Sequence, residues 1–275
     1  MNLPFSIVIL TLNEERDLPA CLSSASGCED LVVLDSGSND RTAEIARAAG
    51  ARVYERPFDT FAGQRNYAQS EIRFRHPWVF HLDADEQLTP DLAAECAAAA
   101  RADTSVDGYL VAPKMLFEGR WIPHCTDYPA WQARFVRAPQ FAFVDAGHGQ
   151  REAPAMRLGR LRANYFHDLS SGGVEEWLAK HRRYARAEAE AYVQESRVRK
   201  WTELFDGSAL VRRRALKHFS HSLPGRPILR FFYQYVLRGG FLDGGPGFRY
   251  CRLLARYESF TRAELRRIRW PASCS

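Results

Sequence analysis

Trp78-Val79-Phe80-His81-Leu82-Asp83-Ala84-Asp85-Glu86 is the stretch whose reading decides the fold. Its first five residues are bulky or apolar and read as a strand buried on both faces, as in a parallel sheet. Two carboxylates follow, with one small residue between them. Side chains alternate along a strand, so Asp83 and Asp85 are expected on the same side, and Ala84 leaves room beside them. Paired carboxylates at a strand end repel unless a cation or donors compensate them. Oxygen ligands of this kind select a hard cation such as Mg²⁺ or Mn²⁺, which keeps positions open for substrate phosphates. The plainer alternative is a strand running into a solvated acidic turn.

The flanking sequence supports a sheet. Ser6-Ile7-Val8-Ile9-Leu10-Thr11-Leu12 is an apolar β-branched run that ends at Asn13-Glu14-Glu15. Leu31-Val32-Val33-Leu34 is a second run, followed by the polar loop from Asp35 to Thr42. The spacing predicts a helix over 43–49 with Gly50 as its cap, a strand over 51–55, and a helix opening at Ala62. Strands alternating with helices argue for a mostly parallel α/β sheet, whose ligands sit at the carboxyl ends of its strands. Asn13, Asp35, Asp83 and Asp85 all fall at such ends. The turn after the first strand has no glycine, so a Gly-x-Gly-x-x-Gly dinucleotide site is excluded, and no Walker A motif is present.

Composition bounds the rest. The 275 residues suit one large domain, or one domain with an elaborated C-terminal part. The net charge of +5 is uneven: residues 197–275 hold 17 Lys/Arg against 5 Asp/Glu, a net of +12, which leaves −7 for the others. A basic tail of this size expects an anionic partner, either a membrane surface or a phosphate-bearing acceptor. The six cysteines are scattered without metal-binding spacing, which predicts neither structural zinc nor a disulfide framework and fits a reducing cytoplasm. The first apolar run lacks a preceding basic region and reads as a strand rather than a signal peptide. No run of 18 apolar residues suggests a membrane span.

Four segments, in this order, carry a resemblance: residues 6–15, residues 33–42 (Val33-Leu34-Asp35-Ser36-Gly37-Ser38-Asn39-Asp40-Arg41-Thr42), Gln64-Arg65-Asn66, and Leu82-Asp83-Ala84-Asp85. Together they are similar to family 2 glycosyltransferases, enzymes of the nucleotide-diphospho-sugar-binding GT-A fold. The resemblance implies that Asp35 contacts a nucleotide base and Asp83 its ribose, and that Asp85 binds the metal bridging the diphosphate. It also places Thr11, Asn13 and Glu15 along the nucleotide pocket and Arg65 toward the diphosphate or sugar. A divalent ion suits this chemistry, because a departing diphosphate needs its charge neutralised.

The second half is less marked. Residues 108–113 read as a strand, and 132–136 as another. Trp121, Tyr128 and Trp131 lie in an aromatic, proline-rich stretch and are candidates for a sugar-stacking acceptor platform, with core or turn packing as the alternative. Gly147-His148-Gly149-Gln150-Arg151-Glu152 concentrates ionisable groups where family members place a carboxylate. An inverting transferase needs one base beside the acceptor hydroxyl. Bacterial lipopolysaccharide core glucosyltransferases, the subgroup the chain resembles, tend to have His-Glu here. This chain has His148-Gly149, so the base is Glu152 or Asp145, and His148 falls to the acceptor side. Residues 239–247 read as a glycine-rich loop, whose Gly240-Phe241-Leu242-Asp243-Gly244 resembles the C-terminal region of the same subgroup but suggests no mechanism.

Residues 175–196 read as a helix on which His181 is a face residue. Farther on, Ile228, Phe231, Phe232, Tyr235 and Val236 are expected to form one helical face opposite Arg226, Arg230, Gln234 and Arg238. That pattern suits the membrane interface or packing on a catalytic domain. The sequence is thus expected to have a GT-A catalytic domain over 1–170, divided into a nucleotide-sugar half (1–105) and an acceptor half (106–170). A helical, basic extension over 171–275 follows. The expected activity is metal-dependent inverting transfer of a hexose, glucose from UDP-glucose, to a hydroxyl of a lipid-linked glycan such as lipopolysaccharide core or exopolysaccharide. It would take place at the cytoplasmic face of the inner membrane, with no nucleic-acid partner. The alternatives are a polyprenyl-phosphate glycosyltransferase, whose ionised acceptor needs no base, and a non-catalytic nucleotide- or glycan-binding module.

Overall fold

A computed structural model describes residues 3–102, 105–146, 149–196, 201–220, 223 and 225–269. The chain divides into two compact units. One comprises Met1–Gly119 with Asp127–Ser171, the other Arg120–Thr126 with Gly172–Ser275.

In the first unit the apolar runs become β1 (Ser6–Thr11), β2 (Leu31–Asp35), β3 (Arg52–Glu55) and β4 (Trp78–Asp83). β4, β1, β2 and β3 lie side by side in parallel; β4, β1 and β2 are apolar on both faces, as covered parallel strands require, and β3 at the edge is partly exposed. Alternation splits their side chains between two layers. Ile7, Ile9, Val33, Phe80 and Leu82 pack on one face with Leu18 and Leu22 of α1 (Leu18–Ser24) and Leu92 and Cys96 of α4 (Pro90–Arg101). Val8, Val32, Leu34 and Val79 pack on the other with Ala68 and Ile72 at the end of α3 (Phe61–Glu71). α2 (Thr42–Ala48) joins β2 to β3, and Gly50 beyond it takes φ +80°, the left-handed conformation that closes a helix. Thr60 and Thr89 accept from the first-turn amides of α3 and α4 at 2.9 and 3.2 Å.

The expected strand over 108–113 proves to be two. β6 (Gly108–Val111) enters the large sheet, whereas β7 (Pro113–Phe117) leaves it for a smaller one. Ala112 separates them, and the proline that follows cannot donate to a ladder. β8 is the short Arg120–Trp121 segment of the second unit, and β9 (Gln132–Arg137) runs antiparallel between β4 and β6. There Phe135 stacks on Trp78 with ring centroids 4.9 Å apart. β10 (Phe143–Ala146) and β11 (Gly149–Glu152) form a hairpin. β12 (Leu158–Arg160) edges the large sheet, and β13 (Tyr165–Asp168) pairs with β7 and with β5 (Glu86–Gln87).

The second unit is helical. α5 (Gly173–Ser196) packs along α8 (Gly244–Arg269) through Ala189, Tyr192 and Leu265. His181 stacks on Trp177 of its own helix, consistent with a face residue. α6 (Ala209–Ser220) and α7 (Arg226–Phe232) complete the unit, and α7 continues into a π-helical turn, Tyr233–Leu237. Two expectations are corrected here. Residues 239–247 are not an open loop: a 3-10 turn, Gly240–Asp243, leads directly into α8. In addition, Arg226 and Gln234, expected opposite the apolar face, are buried. Arg226 pairs with Glu258 at 2.6 Å, and Gln234 donates to the Cys125 carbonyl at 2.5 Å. These polar partners hold one face inward, and the wider π turn shifts the 3.6-residue spacing on which the expected face was drawn.

The structure also accounts for the glycine-rich motif. Buried Asp243 accepts from the backbone amides of His124 and Cys125 at 3.0 and 2.8 Å, and pairs with His124 Nδ1 at 2.7 Å. Gly240 and Gly247 let backbone and sulfur close around this clasp, because a Cβ on Gly247 would stand 2.5 Å from the Gly240 carbonyl. Gly247→Ala therefore carries a prediction of sign. In an open helix, Ala is favoured over Gly by roughly 1 kcal/mol. Here, overpacking should outweigh that gain and lower stability by about 1–3 kcal/mol in chemical denaturation.

Candidate functional site

The carboxyl ends of β1, β2 and β4 meet in register: Thr11 pairs with Asp35, and Leu10 with Asp83. Asp35 and Asp83 thus lie about two strand spacings, or ~10 Å, apart on either side of β1. The loops that follow β1 and β2 are laced together. Asn13, at φ +57°, donates its amide to Ser38 Oγ, and its side chain accepts from the Asn39 amide, both at 2.8 Å. Glu15 accepts from the amide and the Nε of Arg41, each at 3.2 Å. Asp35 is buried and accepts four bonds, from Thr11 Oγ1, the Gly37 and Ser38 amides and Ser38 Oγ, at 2.5–3.1 Å. Its two oxygens are filled by this loop, so an additional donor would have to displace one of these bonds. Thr11, Asn13, Glu15 and Asp35 are therefore one assembly.

At the end of β4 the structure departs from the expected alternation. The strand stops at Asp83 and a turn covers Ala84 and Asp85, so the two carboxylates take different partners. Asp83 receives Arg65 Nη2 at 2.7 Å and Arg134 Nη2 at 3.0 Å. Arg134 also reaches Glu86 at 2.6 Å and, through Nε, the Tyr165 hydroxyl at 3.2 Å. Burial works against the Asp83 carboxylate, but the two guanidinium groups prevail and hold it well below the usual carboxylate range. Burial, with the neighbouring carboxylates, pushes Glu86 up to about 7 despite Arg134. Arg65 is 1% exposed, and burial lowers its pKa. Its Nε and Nη1 have no hydrogen-bond partner among the described residues. Buried donors left in this state are costly unless a ligand takes them.

Asp85 faces His167 of β13, with Nε2 at 3.4 Å from Oδ2. Burial opposes charge on this imidazole, but Asp85 and, more weakly, Glu86 and Asp83 raise its pKa to about 9. Among the described residues no cluster of three or more His, Cys, Asp or Glu side chains is gathered for a metal ion. Asp85 supplies the kind of oxygen ligand that Mg²⁺ or Mn²⁺ takes, the other positions going to phosphate oxygens and water, and His167 would join it only on giving up the proton that this pairing favours.

The hairpin keeps both base candidates in play. Phe143 lies opposite Glu152, and Asp145 opposite Gln150, so the four residues share one face. Asp145 and Glu152 stand diagonally, about 7–8 Å apart. Phe143 is buried against His81 and Phe141, while Asp145 is exposed and Glu152 half-buried. The hairpin is moored by Asn66, which donates to the Phe143 carbonyl and accepts from its amide, both at 2.9 Å. Its neighbour Gln64 donates to the Arg56 and Pro57 carbonyls at 3.2 and 3.1 Å. His148 lies outside the described residues. Tyr128 and exposed Trp131 belong to the first unit, where Arg160 sits 5.2 Å over the Trp131 ring, and exposed Trp121 belongs to the second.

Arg134 and His167 were not singled out from sequence, and Glu86 and Asn66 were quoted there without a role. An arginine inside the apolar strand Gln132–Arg137 is a usable signal for a buried ion pair. Nothing in the spacing could have matched His167 to Asp85, 82 residues earlier.

Residues 6–163 match the sequence profile of the family described as "Glycosyl transferase family 2". The chain is 35% identical over 116 residues to the lipopolysaccharide core biosynthesis glycosyltransferase LpsC of Rhizobium meliloti, covering 40% of this chain and 42% of that protein. It is 36% identical over 104 residues to a 4,4'-diaponeurosporenoate glycosyltransferase of Staphylococcus haemolyticus, covering 33% and 26%. The chain thus spans less than half the length of these curated relatives. Among solved structures, it overlays 41% of its length on 44% of glucosyl-3-phosphoglycerate synthase of Mycobacterium tuberculosis, at 23% identity and a TM-score of 0.34.

The mooring carries a prediction. Asn66→Ala removes both bonds to the Phe143 backbone and should lower stability by about 1–3 kcal/mol. The loss should be local, so hydrogen exchange should quicken in 143–152 while amides of β1, β2 and β4 stay protected.

Proposed function

Because the chain belongs to glycosyltransferase family 2 and has its GT-A fold, we propose that it transfers a hexose, glucose from UDP-glucose, with inversion, to a hydroxyl of a lipid-linked glycan such as lipopolysaccharide core or exopolysaccharide. The observation that carries this reading is the meeting of the β1, β2 and β4 ends, where the nucleotide loops adjoin buried Arg65 and the Asp85–His167 pair. The relative from lipopolysaccharide core biosynthesis supports the acceptor class. The second relative acts in another context, so the acceptor choice rests on the subgroup resemblance.

In this proposal Thr11, Asn13, Glu15 and Asp35 hold the nucleotide, and Asp83 adjoins its ribose, fixed in place by Arg65 and Arg134. Asp85 and His167 would hold the Mg²⁺ or Mn²⁺ ion, which supplies positive charge to the departing diphosphate. The unpaired donors of Arg65 add to that charge from the protein side. Glu152 or Asp145 takes the proton of the acceptor hydroxyl as that oxygen attacks the anomeric carbon, and displacement from the opposite side inverts the centre. Trp121, Tyr128, Trp131 and His148 are the proposed acceptor contacts, and the chain works at the cytoplasmic face of the inner membrane. Among the described residues no helix is long and apolar enough to cross a membrane.

Two measurements test this. Asp85→Ala should weaken UDP binding strongly in Mn²⁺ and little in EDTA by calorimetry, and equal affinities in Mn²⁺ would reject the metal role. Glu152→Gln or Asp145→Asn, whichever removes the base, should slow transfer to a hydroxyl acceptor by roughly 10²–10⁴-fold while UDP affinity holds. Normal transfer by both variants would instead favour an acceptor that is already ionised.

A further inference from the structure

Between Leu223 and Leu242 the second unit is turned inside out. Its inward positions are polar and committed: Arg226 pairs with Glu258, Gln234 donates to the Cys125 carbonyl, and Arg238 donates to the Thr126 carbonyl at 2.8 Å. Phe231 and Tyr235 stack on each other at 5.2 Å and meet Phe248 of α8 at their edges. The large apolar side chains that remain are left outside. Ile228 is 63% exposed and Leu237 78%, with Leu229, Phe232, Val236 and Leu242 each about half exposed. A water-facing helix has the reverse arrangement. Contiguous apolar surface of this kind marks an interaction site.

Charge indicates the occupant. The face lies within residues 197–275, whose net charge is +12; Arg230 belongs to α7 itself, and Arg252 of α8 lies 5.7 Å over the ring of Phe248, which packs against Phe231 and Tyr235. Apolar side chains that enter an interface, with basic groups nearby that attract anionic headgroups, form the interfacial-helix pattern. We infer that this face docks on an anionic phospholipid bilayer. The inference deepens the proposed transfer to a lipid-linked acceptor and rests on that reading. It differs from the sequence expectation in its residues: Phe231 and Tyr235 are packed, and Phe232 and Leu237 enter the lipid.

The test is sedimentation of the full chain with phosphatidylcholine vesicles, with and without phosphatidylglycerol. Wild type should pellet with the anionic vesicles at low ionic strength and be partly released by salt. Phe232→Ser with Leu237→Ser should bind roughly tenfold more weakly or worse, because two apolar side chains no longer enter the interface. Leu237→Glu alone, at the most exposed site of the face, is the second variant, and thermal melting checks folding of each. Phe205→Ser, also at an exposed site but outside the face, should bind as wild type does. Wild type that ignores anionic vesicles, or variants that bind as well as wild type, would overturn the inference. So would self-association in ultracentrifugation that Leu237→Glu abolishes while vesicles are ignored, which would assign the face to a second copy. UDP calorimetry on the same proteins separates the two readings: a vesicle failure with intact UDP binding removes only the docking surface, and absent UDP binding in wild type counts against the transferase reading.

Discussion

A carboxylate held between two guanidinium groups is the constraint on which the first unit depends. Asp83 ends β4, whose other five residues are buried, and neither it nor Arg65 or Arg134 is tolerable there alone. Removing one partner of a buried ion pair strands the other, typically at a cost of about 3–5 kcal/mol. Through Glu86 and Tyr165 the same lattice reaches β5 and β13, so it joins α3, β4 and β9 to the strand that bears His167. In the proposed function, affinity for a charged ligand and cohesion of the fold would be properties of one cluster. A lattice with this geometry also leaves little freedom to the side chains beside it, which is how a site achieves preorganisation.

What the sequence disclosed followed chemical locality. β1, β2 and β4 were legible because strands covered on both faces must be continuously apolar, and the turn residues that end them are equally plain. Asn13 and Asp35 were read at those ends, and Thr11 and Glu15 joined them through the family resemblance. The Asp83–Asp85 pair was found too, but its geometry was misjudged, because alternation holds only while a strand continues and this one ends at Asp83. Arg134 is brought beside Asp83 by the pairing of β9 with β4, and His167 by the pairings of β13, all of which span 50 residues or more of chain. Such contacts leave no periodicity to read.

In the second unit the error lay in direction. A helical wheel assigns water to the charged side, and that assumption fails when buried acceptors, here Glu258 and the Cys125 carbonyl, draw Arg226 and Gln234 inward. The Gly-Phe-Leu-Asp-Gly motif was opaque for a related reason. Asp243 serves backbone amides more than a hundred residues earlier, and its glycines matter for what they lack.

Gln64, Arg65 and Asn66 occupy successive positions of α3, and successive helical side chains point about 100° apart. Each addresses a different part of the first unit: the carbonyls after β3, the carboxylate of β4, and the backbone of the hairpin. The helix therefore works as a spindle with three spokes whose angular phase is fixed. A substitution breaks one spoke and leaves two. Inserting or deleting a single residue between Gln64 and Asn66, inside the helix, would throw the spokes out of phase with one another. In descendants of this chain, the spacing of these three positions should thus be held more tightly than the length of the loop that precedes the helix.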